Sequence, residues 1–232
     1  AILDSMYTAS RRLIDAVGAV PFPPLEVNWS PANAPEYCWN GSQWYVDPSQ
    51  GCIGTSFYGG GEIYVLGAAG IDSDEFDNEV IVHEWGHYFE DNLSRADSPG
   101  GPHGIGDVLD PRLAFGEGFA SAFAAMLLDQ PVYADTYWAG AGIQAFGWDA
   151  ETAPAPSYPS YPDDPFPGPF SELSVIRAVY DLYDSGTNES VYDTSAVGLG
   201  AIYDTLVGPE RTTPALTTLA SFVTGLKAQA GV

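Results

Sequence analysis

Basic residues are scarce in this chain of 232 residues. It has seven lysines and arginines against 31 aspartates and glutamates, and Lys227 is its only lysine. The formal net charge is −24 at pH 7. A surface this acidic repels the phosphates of nucleic acids and of anionic membranes, so we exclude both as binding partners. The same surface either keeps the protein solvated, as an adaptation to salt would, or attracts cationic substrates.

The chain also lacks any run of about 18 apolar residues, which a membrane-spanning helix would need. It opens at Ala1 without a charged stretch and an apolar signal core, so any export signal has been removed or was never present. Hydrophobic residues make up 45% of the chain and charged residues 16%, a composition typical of globular rather than disordered proteins. We expect a globular monomer without a membrane span.

Cysteine is equally scarce, since Cys38 and Cys52 are the only two. They flank a polar, turn-rich segment, and a disulfide closing this loop would contribute roughly 3 kcal/mol of stability. Such a bond implies an oxidising compartment. The alternative is a pair of buried thiols in a cytosolic protein. We favour the disulfide and therefore predict a secreted protein.

Hydrophobic periodicity divides the chain into a β-rich start and a mainly helical remainder. Helical spacing predicts helices over residues 2–17 (with Leu3, Met6, Leu13 and Val17 on the apolar face), 73–93, 112–128 and 171–184, and near 196–206 and 213–229. Residues 25–66 contain β-prone runs such as Q-W-Y-V and E-I-Y-V-L. The pattern predicts one α+β domain over residues 1–232, with an N-terminal lobe of about 1–94 and a C-terminal lobe of about 95–232.

Two further segments have more than one interpretation. In D-S-D-E-F-D (72–77), Ser73 is the expected N-cap of the second helix and the acids suit its positive end, although they could instead hold Ca²⁺. Seven prolines occur in residues 153–170, which excludes a helix or a central strand. This segment is either a linker or, as we favour, a loop packed beside an active site.

Histidine is the third scarce residue, and its placement points to a metal. The chain has three histidines, and two of them lie in V-I-V-H-E-W-G-H-Y-F (80–89). On a helix, His83 and His87 share one face with Cβ atoms about 5–6 Å apart, so both can bind one Zn²⁺ at about 2.0–2.1 Å. Glu84 then lies near the ion without binding it, where a general base is needed. The alternative is two hydrogen-bonded core histidines.

A catalytic zinc usually has three protein ligands, so a third must come from elsewhere in the chain. Glu117 in G-E-G-F-A-S lies among glycines and small apolar residues, where a buried carboxylate needs a cation or strong hydrogen bonds. Its alternative is a surface acid at a helix terminus. His103 in G-G-P-H-G is the rival third ligand, and it could instead stabilise an oxyanion or lie exposed in a loop.

These motifs resemble those of a known group of enzymes. H-E-W-G-H with uncharged flanks resembles the zincin signature, and a downstream glutamate ligand resembles the gluzincin branch. E-G-F-A-S (117–121) is similar to the third-ligand motif of zinc aminopeptidases. S-F-Y-G-G-G-E-I-Y-V-L-G (56–67) is similar to the edge strand before the zinc helix in thermolysin-like proteases. The resemblance covers roughly residues 55–125.

The resemblance implies a zincin-like fold, in which a small twisted sheet places its edge strand over the active-site helix. It also implies zinc-dependent hydrolysis of peptide or protein substrates, with His83, His87 and Glu117 as ligands. In thermolysin-like enzymes the edge strand hydrogen-bonds an extended peptide, which assigns substrate binding to Ser56, Phe57 and Tyr58. Gly86 costs about 1 kcal/mol relative to alanine in mid-helix, so we expect another backbone, such as the edge strand, to approach it.

The chain departs from both named families. Twenty-nine residues separate His87 from Glu117, a longer gap than is typical, and no G-x-M-E-N motif or metzincin continuation is present. Thermolysin-like enzymes place a histidine-supporting aspartate four residues after the glutamate ligand, where this chain has Ser121. That role therefore passes to an unassigned acid, and the candidates are Asp91, Asp107 and Asp110.

An oxyanion-stabilising donor completes the expected site. Tyrosine or histidine does this in related families, so the candidates are Tyr158, Tyr161, Tyr180, Tyr183 and His103. Two other functions remain as alternatives: a non-catalytic zinc-binding adhesion or binding domain on the same scaffold, and a structural metal protein with a closed site.

Overall fold

The structure, a computed structural model, describes residues 1–140, 142–151, 164–184 and 195–230. Its helices are α1 (Ile2–Val17), α2 (Asn78–Leu93), α3 (Pro111–Leu128), α4 (Glu172–Tyr183), α5 (Gly198–Thr205) and α6 (Leu219–Ala230). Its strands are β1 (Glu26–Trp29), β2 (Cys38–Trp39), β3 (Trp44–Tyr45), β4 (Phe57–Gly59), β5 (Glu62–Val65), β6 (Val132–Ala139) and β7 (Gly142–Asp149). Short 3-10 turns occupy Pro48–Gln50 and Asp74–Phe76, and a π-helical turn occupies Leu206–Glu210. The fold class is α+β, as predicted.

The main sheet has three strands in the order β1-β5-β4, with β1 parallel and β4 antiparallel to β5. Strands β4 and β5 are joined through Gly60 and Gly61, whose φ angles of 64° and 89° suit a tight hairpin turn. The segment 56–67 was expected to form one edge strand. It forms a hairpin instead, in which only β4 lies at the sheet edge and β5 is central.

A two-stranded pair, β2 and β3, lies in the loop that follows β1. Cys38 and Cys52 form a disulfide across this loop. The predicted pairing is therefore confirmed. It joins strand β2, where Trp39 is 52% exposed, to the segment around Cys52, where Ile53 is buried.

Helix α1 buries one stripe of its surface. Ala9 and Leu13 are fully buried, and Met6 and Val17 pack against the same core. Leu3 was expected on this face but is 80% exposed. It falls outside the stripe, which continues from Met6 to Ile2, four positions earlier, and not to Leu3.

Helix α3 is the centre of the molecule. It begins at Pro111 after the N-cap Asp110, whose carboxylate accepts a hydrogen bond from the backbone N–H of Arg112. Nearly all of its side chains are buried, which is expected of a helix that is apolar on every face. It packs between α2 and α4, and residues from all six helices contribute to its core cluster.

Two glycines allow this close packing. A Cβ on Gly86 of α2 would lie 3.1 Å from Cα of Ala120 on α3. A Cβ on Gly118 of α3 would lie only 2.6 Å from Cβ of Val175 on α4. The close neighbour of Gly86 is therefore helix α3, and the expectation that it would be the edge strand is wrong.

Helix α2 begins five residues later than predicted. Ser73 makes no side-chain capping bond, and Asp74–Phe76 form a separate 3-10 turn. Asp77 occupies the N-cap position of α2, but its carboxylate accepts hydrogen bonds from the N–H and hydroxyl of Thr136 on β6 instead. The prediction that Ser73 caps this helix is wrong, because α2 begins only at Asn78 and Ser73 precedes the separate 3-10 turn.

The β6–β7 hairpin was not predicted, although V-Y-A-D-T-Y-W-A has β-prone residues. Its register runs from Val132 opposite Asp149 to Ala139 opposite Gly142. The backbone N–H of Trp138 bonds to Ile71 O at 2.7 Å, which attaches the hairpin to the segment before α2. The predicted proline-rich loop of residues 153–170 lies mostly outside the described residues.

None of the helices in the described ranges has the length and hydrophobicity that crossing a membrane would require.

Candidate metal centre

Two histidines on α2 present ring nitrogens to one point. The Nε2 atoms of His83 and His87 are 3.0 Å apart. Their side chains are 12% and 20% exposed, so the pair is mostly shielded but reachable from solvent. They share a helix face because they are four positions apart.

Glu117 on α3 completes the group. Its Oε2 lies 3.2 Å from Nε2 of His87 and 3.4 Å from Nε2 of His83. The close contact of α2 and α3 at Gly86 brings these side chains together across 29 intervening residues. The three predicted ligands therefore meet in the structure.

The spacing of the three donor atoms suits a bound metal ion. Tetrahedral zinc with bonds of about 2.0–2.2 Å places neighbouring ligand atoms roughly 3.3–3.6 Å apart. The observed separations of 3.0, 3.2 and 3.4 Å are close to this range. Two imidazole nitrogens and one carboxylate oxygen also match a catalytic zinc set that leaves a fourth position open. His83, His87 and Glu117 could thus hold a metal ion.

Electrostatic coupling keeps the Glu117 carboxyl ionised. Burial alone would raise its pKa, but the charge of His87 and hydrogen bonds from His103, His83 and His87 lower that pKa well below the usual value. Burial lowers the pKa of the His87 imidazole, but the charge of Glu117 and its hydrogen bond to His87 raise it. The net result is a pKa of about 9 for His87. An ionised carboxylate is the form that binds a metal.

Ser121 orients one of the histidines. Its Oγ lies 3.0 Å from Nδ1 of His83. If Nδ1 donates to this oxygen, Nε2 keeps the lone pair that a metal needs. The sequence reasoning assigned this support to an acid, and the structure gives it to Ser121, one helical turn beyond Glu117.

The three acids proposed for that support have other contacts. Asp91 accepts a hydrogen bond from the hydroxyl of Tyr58 at 2.7 Å. Asp110 caps α3. Asp107 has its backbone N–H bonded to Gly104 O in a loop.

Glu84 is buried beside the histidines. It is 7% exposed, and its Oε2 accepts a hydrogen bond from the backbone N–H of Tyr58 on β4 at 2.7 Å. Burial raises its pKa, which the positive charges of His83 and His87 partly offset. A carboxylate with a raised pKa next to a metal-binding group is well suited to accept a proton.

His103 is brought to the centre by the loop between α2 and α3. Its Nε2 lies 3.3 Å from Oε2 of Glu117, and its Nδ1 lies 2.9 Å from Gly101 O. The hydrogen bond with Glu117 raises the pKa of His103 to about 9. All three histidines of the chain therefore converge on Glu117.

Two buried acids near this centre escaped the sequence analysis. Glu90, one turn beyond His87, is 2% exposed, and burial raises its pKa to about 8. Glu172, at the start of α4, is 5% exposed, and burial together with Glu117 raises its pKa to about 7. In the sequence both look like ordinary helical acids, so no local signal distinguishes them.

A cavity of about 300 Å³ opens onto the centre. His83, Glu84, His87 and Glu117 lie along its wall, and so does Glu172. The remaining wall comes from α2, from β4 and the residues before it, from the His103 loop and from the β6–β7 hairpin: Val80, Thr55, Ser56, Phe57, Tyr58, His103, Gly104, Ile105, Tyr133, Asp135, Phe146 and Trp148.

The three residues assigned to substrate binding all line this cavity, but the side chains of Ser56 and Phe57 already contact other residues of the chain. Ser56 Oγ donates to Asp74 Oδ2 and accepts from the backbone N–H of Leu66. The ring of Phe57 stacks on that of Tyr64, with centroids 5.0 Å apart.

Of the predicted tyrosines that the structure describes, Tyr180 and Tyr183, neither lines this cavity. Tyr158 and Tyr161 lie outside the described residues. Tyr180 is 5% exposed in the core, and the hydroxyl of Tyr183 accepts a hydrogen bond from Arg12. Tyr133 on β6 does line the cavity, and its ring stacks on that of Trp148 with the ring centroids 3.9 Å apart. The sequence analysis missed it because it missed the hairpin.

A comparison with protein-family models and with curated proteins finds no match for this chain. The site is therefore interpreted from its own geometry and chemistry.

Proposed function

We propose that this chain is a zinc-dependent peptidase with a zincin-like fold of the gluzincin type. The observation that carries the proposal is the convergence of His83, His87 and Glu117 with separations of 3.0 to 3.4 Å between donor atoms. Glu84 lies in the same cavity wall and binds no other side chain in the described structure. A closed structural metal site would have no use for such a carboxylate.

The ligand set and the base have separate roles. His83, His87 and Glu117 would hold Zn²⁺, which when bound supplies Lewis-acid activation of water and of the substrate carbonyl. Glu84 removes a proton from the attacking water, whose oxygen bonds to the carbonyl carbon. Glu84 then delivers this proton to the amide nitrogen as the carbon–nitrogen bond breaks. Ser121 and the Tyr58 N–H hold His83 and Glu84 in the required orientations.

The cavity favours an extended peptide as substrate. Strand β4 lies at a sheet edge, where a peptide can add by backbone hydrogen bonds. Phe146 and Trp148 supply apolar surface to the wall of the same cavity. The Cys38–Cys52 disulfide is consistent with an oxidising compartment, so we propose that the peptidase acts outside the cytosol.

Glu84→Gln tests the catalytic role directly. The amide keeps the size of the side chain and an acceptor for the Tyr58 N–H, but it cannot act as a base. We expect about one zinc per chain to remain bound, while hydrolysis of a peptide library falls by about 100-fold or more. Zinc is measured by atomic emission and cleavage by mass spectrometry.

Matched variants complete this experiment. His83→Ala and Glu117→Gln remove ligands, so both proteins should lose zinc and activity together. Glu36→Gln, an exposed substitution far from the centre in sequence, should behave as the parent protein. If Glu84→Gln retains full activity with zinc bound, the peptidase proposal fails and a non-catalytic zinc-binding domain takes its place.

A further inference from the structure

A second group of carboxylates shares no residue with the histidine centre. Asp72 and Asp74 come from the segment before α2, and Asp135 comes from strand β6. Each offers one oxygen atom, and these atoms all lie within 4.8 Å of one another. Like charges this close repel strongly unless a cation or shared protons compensate them.

The buried member of this group has an oxygen without a partner. Asp74 is 2% exposed, and its Oδ2 accepts a hydrogen bond from Ser56 Oγ. Its other oxygen, Oδ1, has no hydrogen-bond partner among the residues that the structure describes. The Oδ1 atoms of Asp72 and Asp135 are also buried, and neither has a hydrogen-bond partner among the described residues. A buried polar atom without a partner is rare and needs an explanation.

Among the residues that the structure describes, no basic side chain forms an ion pair with this group. Burial raises the pKa of Asp74 to about 9 and that of Asp135 to about 7. Asp72 and Asp74 lie close enough to share a proton, and a bound cation would take the place of that proton.

We propose that Asp72, Asp74 and Asp135 form a Ca²⁺ site, separate from the zinc centre. An all-oxygen group of three carboxylates selects a hard cation and not Zn²⁺, which prefers nitrogen and sulfur ligands. Ca²⁺ accepts several protein carboxylates in irregular geometry and completes its shell with water, whereas Mg²⁺ retains most of its own water. Asp72 and Asp135 are only partly buried, which leaves room for water and a path for entry.

The ion would reinforce one wall of the cavity. Two hydrogen bonds already join β6 to the segment before α2. The backbone N–H of Trp138 donates to Ile71 O, and the backbone N–H of Thr136 donates to the Asp77 carboxylate. A Ca²⁺ ion shared by Asp72, Asp74 and Asp135 adds a third link between these segments. Because Asp135 also lines the cavity, this link would hold the hairpin wall beside the metal centre.

Thermal unfolding of the full chain with and without calcium tests the site. Chelator-treated protein is dialysed, reloaded with zinc and titrated with CaCl2 by calorimetry and differential scanning. We expect one calcium per chain and a rise in Tm of roughly 5–10 °C at a hundredfold excess over Kd. No response to calcium would overturn the proposal, and an equal response to MgCl2 would overturn the assignment to calcium.

Three variants locate the response. Asp74→Asn should abolish it, while Asp204→Asn, an exposed acid on α5, should retain it. If Asp74→Asn fails to fold, Asp135→Asn on the hairpin provides the same test. A calcium response equal to that of the parent protein in either cluster variant overturns the site.

The zinc centre is tested separately in the same experiment. His83→Ala should lose zinc but keep the calcium-dependent rise in Tm, because the two groups share no ligand. Loss of the calcium response in His83→Ala would show that the ion binds at the histidines. The calcium site is therefore tested independently of the peptidase proposal.

Discussion

At the scale of single residues, the candidate metal centre contains side chains that are held in place by other groups of the chain. The hydroxyl of Ser121 meets Nδ1 of His83, and the N–H of Tyr58 meets Oε2 of Glu84. Neither partner is a metal ligand. Groups of this kind fix the tautomer and rotamer of a ligand, and removing them typically lowers metal affinity about 10–100-fold.

Ser121→Ala should therefore weaken zinc binding by about 10–100-fold without unfolding the protein. The loss arises because His83 can then turn or change its tautomer. Competition with a chromogenic zinc chelator measures the affinity, and circular dichroism checks the fold. Ser10→Ala is the control, since its hydroxyl bonds to Tyr7 O within α1. Equal zinc affinity in the Ser121→Ala and parent proteins would refute the orienting role.

At the scale of elements, the centre depends on three helices that approach unusually closely. Gly86 permits the contact of α2 with α3, and Gly118 permits the contact of α3 with α4. Because Glu117 precedes Gly118, the same packing that joins α3 to α4 also positions the carboxylate. The glycines around this glutamate therefore have a packing reason of their own.

Gly118→Ala tests this packing. The new Cβ would lie 2.6 Å from Val175 Cβ and 2.8 Å from Glu172 O, so α3 and α4 must separate. Overpacking of this kind costs about 1–3 kcal/mol, offset in part by about 1 kcal/mol of helix propensity. We expect a lower urea midpoint and weaker zinc binding.

The control for this substitution is Gly200→Ala on α5, where nothing lies within 4 Å of the new Cβ. It should stabilise the protein by up to about 1 kcal/mol. If Gly118→Ala gains stability as Gly200→Ala does, the close helix contact is not a constraint.

At the scale of the whole molecule, charge is the dominant feature. The net charge of −24 leaves most acids without a basic partner. Arg11, Arg12, Arg95 and Arg112 form ion pairs with nearby aspartates, but these lie at or near the surface. Exposed ion pairs contribute little, so repulsion among the remaining acids should destabilise the folded state.

Added salt should therefore stabilise this protein. Raising NaCl from 0.1 to 1 M shortens the Debye length from about 10 to about 3 Å. Relief of about 1 kcal/mol of repulsion would raise Tm by about 2–4 °C for a chain of this length. Differential scanning calorimetry at constant calcium measures the shift, with sucrose as a control for solute exclusion. A Tm that falls with NaCl would contradict the repulsion argument.

Local patterns in the sequence were sufficient for several features. The i, i+4 spacing of His83 and His87 predicted their shared helix face, and helical periodicity predicted α1 with its observed bounds. The small, polar loop between Cys38 and Cys52 predicted the disulfide. Each of these depends on residues that are close in the chain, where spacing translates directly into geometry.

Only the tertiary structure decided which distant residues meet. It gave the support of His83 to Ser121, assigned the Asp77 carboxylate to Thr136 and not to a helix cap, and placed Asp135 beside Asp74. These contacts join different elements, and the missed β6–β7 hairpin supplies two of them. Their physical reason is helix and hairpin packing, which a local sequence pattern does not encode, so the buried acids of the site became recognisable only in three dimensions.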